Sequence, residues 1–86
     1  MELLFHKDFL KRLKKLQPQD VQKVRERLQL FRLEPNHPIL RDHALRGKYK
    51  GYRSIDIRPD LRALYNIVDE VIVEFVLLGT HSQLYK

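Results

Sequence analysis

His43 and His81, far apart in the chain, are the residues best suited to move protons near neutral pH, because imidazole titrates there without special tuning. His43 opens the basic, glycine-punctuated stretch DHALRGKYKGYRSIDIRPD, and His81 closes the last apolar strand in LLGTHSQLY. Around them lie Lys48, Lys50, Arg53, Arg58 and Arg62. Proton-transfer groups beside phosphate-binding cations are what cutting an RNA phosphodiester without a metal requires. The chain contains no cysteine, which removes thiol catalysis and thiolate metal sites and fits a reducing cytoplasm.

The charge balance points the same way. Seventeen Lys and Arg stand against eleven Asp and Glu, for a formal charge of +6. Such a balance favours polyanionic partners. It is also unevenly placed: residues 41–62 carry seven Lys or Arg and three Asp. A surface that is merely solvated would scatter the two signs more evenly. No stretch approaches the roughly 20 apolar residues needed to span a bilayer, and the N-terminus MELLFHKDFL has no signal-peptide core. The expectation is a soluble cytoplasmic protein with no membrane partner.

The elements that must position these residues fit one domain over 1–86, with 43% hydrophobic and 33% charged content. Met1–His6 reads as an edge strand. Residues 7–16 read as a helix with Phe9, Leu10, Leu13 and Leu16 on one stripe. Pro18 starts a second helix carrying Val21, Val24, Leu28 and Phe31, which ends before Pro35. Residues 34–47 read as a loop. Tyr49–Ile57 alternates, with Arg53, Ile55 and Ile57 on one face and Tyr52, Ser54 and Asp56 on the other. Leu61–Val68 and Val71–Leu78 complete the strands, and Thr80 caps a short terminal turn or helix. The order β-α-α-β-β-β predicts an α+β fold in which a two-helix hairpin covers one face of an antiparallel sheet. The opposite face, with Ser54, Asp56 and Arg62, is expected to be open to a ligand.

The run DHALRGKYKGYRSIDIRPDLRALYNI followed by LLGTHSQLY resembles the RelE/ParE superfamily of toxin–antitoxin toxins, and within it the YafQ-like branch of messenger-RNA interferases. That branch is marked by DH-x-L-x-G-x-x-x-G-x-R, an I/V-x-P-D turn, Y-K/N-I, and G-T-H-S/A-x-L-F/Y. The match covers residues 42–85; the N-terminal half matches only through its two basic amphipathic helices. The resemblance implies endonucleolytic cleavage of mRNA on the translating ribosome and a cognate antitoxin partner. It also implies functional roles for His43, Asp60, His81 and Tyr85. Two positions depart from the pattern: Ser54 stands where an acidic residue is common, and Asp56 where a further histidine is common.

On this reading His81 is the general acid to the leaving oxygen, and His43 or Asp60 is the general base. Asp56 is a candidate to orient an imidazole. Lys48, Lys50, Arg53 and Arg62 hold phosphates, and Tyr52 and Tyr85 stack on splayed bases. No metal or small-molecule cofactor is expected. Each residue also has a plainer use. His43 and His81 can serve as caps, Asp60 can close its turn, and Tyr52 and Tyr65 can pack the sheet. Arg53, alternating with inward isoleucines, can be structural. Gly47 and Gly51 lack the spacing of a phosphate loop, and His6 and His37 are read as incidental. Two rival functions keep the same elements: a ParE-like gyrase inhibitor, which needs no proton-transfer groups, and a basic RNA- or ribosome-binding module without chemistry.

Overall fold

In the computed structural model, which describes residues 1–85, the chain runs β1 (Glu2–Phe5), α1 (Lys7–Leu13), α2 (Pro18–Leu33), β2 (His43–Ala44), β3 (Arg53–Arg58), β4 (Leu61–Asp69), β5 (Ile72–Gly79) and α3 (His81–Leu84). Two 3-10 turns, Pro38–Leu40 and Gly47–Tyr49, flank β2. The five strands form one sheet in the order β1-β5-β4-β3-β2. β1 pairs parallel with β5, and the other pairs are antiparallel. The α+β architecture expected from the sequence is present, enlarged by the two-residue strand β2.

Local chemistry sets the helix boundaries. His6 caps α1: its Nδ1 accepts from the Asp8 backbone N–H at 3.1 Å. Pro18 occupies the first turn of α2, where its missing N–H costs nothing. α2 stops at Leu33 because Pro35 disfavours helical backbone in the residue before it. His37 Nδ1 accepts from the Ile39 N–H and caps the first 3-10 turn. Both histidines read as incidental are therefore caps.

Alternation along β3 sends Ile55 and Ile57 under the helices. There they meet Phe9 of α1, Val24 and Phe31 of α2, and Tyr65 and Phe75 of the sheet. Phe31 lies edge-on to Tyr65 at 4.9 Å and to Phe75 at 5.5 Å between ring centroids, geometry that favours the ring quadrupoles. α1 is shorter than the stripe predicted, and Leu10 is 41% exposed, so Phe9 and Leu13 carry that helix's contact with the core.

Two expectations about the far face need correction. The stretch beginning at Tyr49 is not strand: Gly47–Tyr49 forms a 3-10 turn, Gly51 takes φ +99°, and the strand starts at Arg53. That face is also not wholly open. A second small core of Tyr49, Leu64 and Leu84, flanked by Leu45, Tyr52, Val76 and Leu77, covers part of it. Ser54 is consequently only 1% exposed, and its hydroxyl has no partner among the described residues.

On the helix face, Arg53 does not stay unpaired. Its Nε donates to Asp42 at 2.9 Å, and the Tyr65 hydroxyl donates to the other oxygen of the same carboxylate. The Asp42 hydrogen bond raises the Arg53 pKa, while burial and then Asp42 push the Tyr65 phenol well above the usual tyrosine value. The sign for stability follows from linkage. Below about pH 10 both the folded and unfolded phenols are protonated and the contribution is complete. Above it the unfolded chain loses the proton first, so this contribution falls as pH rises. The stability gap between the parent and Tyr65→Phe should therefore be widest near neutrality and narrow above about pH 10. Urea melts of both proteins at several alkaline pH values check this.

Candidate active site

Residues directly paired across strands share a face, and on the face away from α1 and α2 the register forms two rungs. One runs His43, Ser54, Leu64, Leu77; the next runs Asp56, Arg62, Gly79. The β3–β4 register slips between Asp56 and Arg58, so Ile57 is the extra residue of a bulge. Such a bulge bends the hairpin and re-aims the side chains beside it.

His43 lies exposed on β2. Its Nδ1 is 2.8 Å from the Arg41 carbonyl oxygen. A carbonyl can only accept, so Nδ1 carries the proton in neutral His43 and Nε2 presents a lone pair. That tautomer can take a proton. Arg41 itself holds a left-handed backbone, φ 48°, at the end of the preceding 3-10 turn, which is what brings its carbonyl under the imidazole.

His81 reaches the same side by another route. β5 ends at Gly79 and Thr80 begins α3, whose Leu84 packs back onto Leu64 and Tyr49. A β-carbon at Gly79 would stand 3.0 Å from Gln83 Oε1 and 3.3 Å from Gln83 Cβ, so glycine lets the helix fold this closely. Thr80 and Gln83 form a reciprocal capping box. His81 and Tyr85, four residues apart, stack at 4.9 Å, and Tyr85 meets Tyr49 edge-on at 5.2 Å. The Leu84 carbonyl accepts from the Tyr49 hydroxyl and from Lys48 Nζ at 3.3 Å, which ties the helix to the second 3-10 turn. Tyr85 remains 37% exposed, leaving ring surface for a base.

A one-turn helix depends heavily on its cap. Thr80→Ala should cost about 0.5–2 kcal/mol locally, enough to unseat α3 for much of the time. The expected signature is loss of the ring-current shifts that Tyr85 imposes on His81, with Thr80→Ser retaining them; proton NMR reads both.

Asp56 sits between two guanidinium groups, with Arg62 Nε 3.5 Å from Oδ1 and Arg41 Nε 3.7 Å from Oδ2. Its carboxylate thus faces arginines, and the partner that fixes the His43 imidazole among the described residues is a backbone carbonyl. Asp60 lies exposed in the turn joining β3 to β4. Lys50 is exposed, and Lys48 also lies 5.3 Å from the centre of the Tyr49 ring. Tyr52 is half-buried against the second core, and Arg53 stands on the opposite face, paired with Asp42. The structure therefore gathers His43, His81, Asp56, Arg62, Lys48 and Tyr85 on one side and leaves Arg53 on the other.

The whole chain, residues 1–86, matches the family described as "Bacterial toxin of type II toxin-antitoxin system, YafQ". It belongs to that family. The mRNA interferase toxin YafQ of Escherichia coli strain K12 is 35% identical over 51 residues, 59% of this chain and 54% of that protein. The match thus spans about half the length of that curated relative. Among solved structures, YafQ from E. coli BL21(DE3) superposes with a TM-score of 0.83 at 25% identity, covering 99% of this chain and 98% of the other. The toxin in the E. coli DinJ–YafQ toxin–antitoxin complex gives 0.81 at 26% identity, over 99% and 97%.

Within this YafQ-family fold, the two departures from the motif have distinct settings. Ser54 is buried beneath the second core and offers no exposed acid or base. Asp56 supplies a carboxylate where an imidazole is common, and it gathers two arginines. Arg41 was not singled out in the sequence. Its signal was present in the basic run beside His43, but its carbonyl and guanidinium roles depend on a backbone conformation that composition does not reveal.

Proposed function

We propose that this chain is the toxin of a type II pair and a metal-independent endoribonuclease that cuts mRNA on the translating ribosome in the cytoplasm, its activity masked by a cognate antitoxin. The 2′-hydroxyl of the RNA is the nucleophile. Its oxygen bonds to phosphorus as the proton passes to Nε2 of His43, and Asp60 in the neighbouring hairpin turn is the alternative base. The bond from phosphorus to the 5′-oxygen breaks, and protonated His81 donates to that oxygen. The products are a 2′,3′-cyclic phosphate and a 5′-hydroxyl end. Lys48 and Arg62 hold the scissile and flanking phosphates, and Tyr85 stacks on a base.

What supports this reading is the tautomer that the Arg41 carbonyl selects at His43, which leaves Nε2 unprotonated, together with the packing of α3, the helix that carries His81, onto Leu64 of the His43–Ser54–Leu64 rung. Proton-transfer groups have no use in a protein that acts by binding alone. Primer extension on translated mRNA after induction of the chain tests it. New 5′ ends should appear with the parent and be absent with His81→Ala. Equal bands from both would remove His81 from the chemistry.

A further inference from the structure

Among the described residues, the outer edge of β3 beyond Ser54 has no strand partner, because β2 pairs with Arg53 and Ser54 and stops there. An open groove of about 310 Å³ lies there, lined by Arg27, Arg41, Arg58 and Arg62, by Asp56, and by Ile39, Ile57 and Pro59. Arginines from four separate segments and one aspartate thus line the same groove.

The arginines are unequally committed. Arg58 is spent on Asp20, with Nε to Oδ1 at 2.9 Å. Arg41 and Arg62 stand 3.7 and 3.5 Å from Asp56, longer than a charge-assisted hydrogen bond, and the Arg41 side chain is 79% exposed. Arg62 Nε is buried without a hydrogen-bond partner among the described residues. Arg27 has no ion-pair partner among the described residues. The groove therefore holds more donors than acceptors, and loosely held ion pairs of this kind contribute little to stability. A phosphate supplies the acceptors it lacks. The volume exceeds one phosphate and admits the attached sugar, for which Ile39, Ile57 and Pro59 form an apolar wall.

We propose that this groove is a second phosphate subsite, in which Arg27, Arg41 and Arg62 seat the RNA phosphodiester neighbouring the one that is cut. The inference rests on the ribonuclease reading above. Asp56 lies two residues along β3 from Ser54, the partner of His43, a step of about 7 Å on the same face that is comparable with one nucleotide. Asp56 then serves as an internal counter-ion, holding Arg41 and Arg62 together until a phosphate displaces it.

A 2′-O-methyl RNA hexamer, which has no free 2′-hydroxyl and cannot be cut, tests the subsite by fluorescence anisotropy across a salt series. Arg27→Ala should bind it roughly tenfold more weakly, and the slope of log affinity against log salt should fall by about 0.7. Asp56→Asn should bind several-fold more tightly, and opposite shifts from two neighbouring variants are not produced by misfolding. In a second arm, the arginine Nε–H resonances should respond to the hexamer and not to inorganic phosphate at the same phosphate concentration.

Unchanged affinity and slope in Arg27→Ala would overturn the subsite. So would arginine resonances that follow inorganic phosphate alone, which would make the groove a free-phosphate site. The cleavage assay stays separate. If the parent cuts translated mRNA while Arg27→Ala binds normally, only the subsite falls. If nothing is cut while hexamer binding still needs Arg27, the groove stands and the ribonuclease reading falls.

Discussion

Alanine at either His43 or His81 should slow cleavage of translated mRNA by about 10²–10⁴-fold, and the two losses should respond differently to the leaving group. The 5′-oxygen departs as a poor leaving group unless it is protonated, which is the role proposed for His81. A substrate with sulfur in place of that bridging oxygen leaves readily as a thiolate and needs no acid. His81→Ala should therefore recover most of its activity on the sulfur substrate, whereas His43→Ala, lacking the base, should remain slow. Recovery by both variants, or by neither, would refute the division of labour. Asp60→Asn placed beside them decides the base. A loss as large as that of His43→Ala, with no recovery on the sulfur substrate, would move the proton acceptor to the hairpin turn.

The residues proposed for this chemistry are legible because their motif is local: His43, Asp60, His81 and Tyr85 each sit in a short run with its own turn or cap. The alternation of Ile55 and Ile57 with Ser54 and Asp56 was equally legible, since a period of two leaves one arrangement that buries the isoleucines. What the sequence hid is non-local. The two residues of β2 are too few to show a period, and they become a strand only through pairing with β3. The burial of Ser54 follows from α3 and the second 3-10 turn folding back over the sheet, which depends on the close approach allowed at Gly79. The charge of Arg53 suits phosphate, yet it stands on the helix face of the sheet because Ile55, two residues along, points inward, and Asp42 pairs with it there. Arg27 looked like any solvated position on a basic helix. Only the placement of α2 beside β3 brings it to the groove.

The largest structural effect is expected far from any of these groups, at Phe75. Its ring is fully buried in the middle of β5 and touches Phe5, Phe9, Phe31 and Tyr65, joining the N-terminal strand, both long helices and the neighbouring strand β4. Truncation to alanine loses the transfer energy of the ring and leaves a cavity walled by aromatic edges that cannot collapse, about 3–5 kcal/mol in all. That is a large part of the about 5–15 kcal/mol available to a domain, and a chain of this size has no second core able to compensate. Phe75→Leu, which keeps most of the volume, should lose much less. Both variants retain every group proposed for catalysis, so their behaviour separates fold from chemistry. Urea melts should rank them parent, Leu, Ala, with cleavage by the Leu variant close to the parent per folded molecule. His81→Ala should show the converse, an unchanged melt with cleavage lost. An His81→Ala protein destabilised as much as Phe75→Ala would mean that the imidazole holds α3 in place and does not serve as the acid.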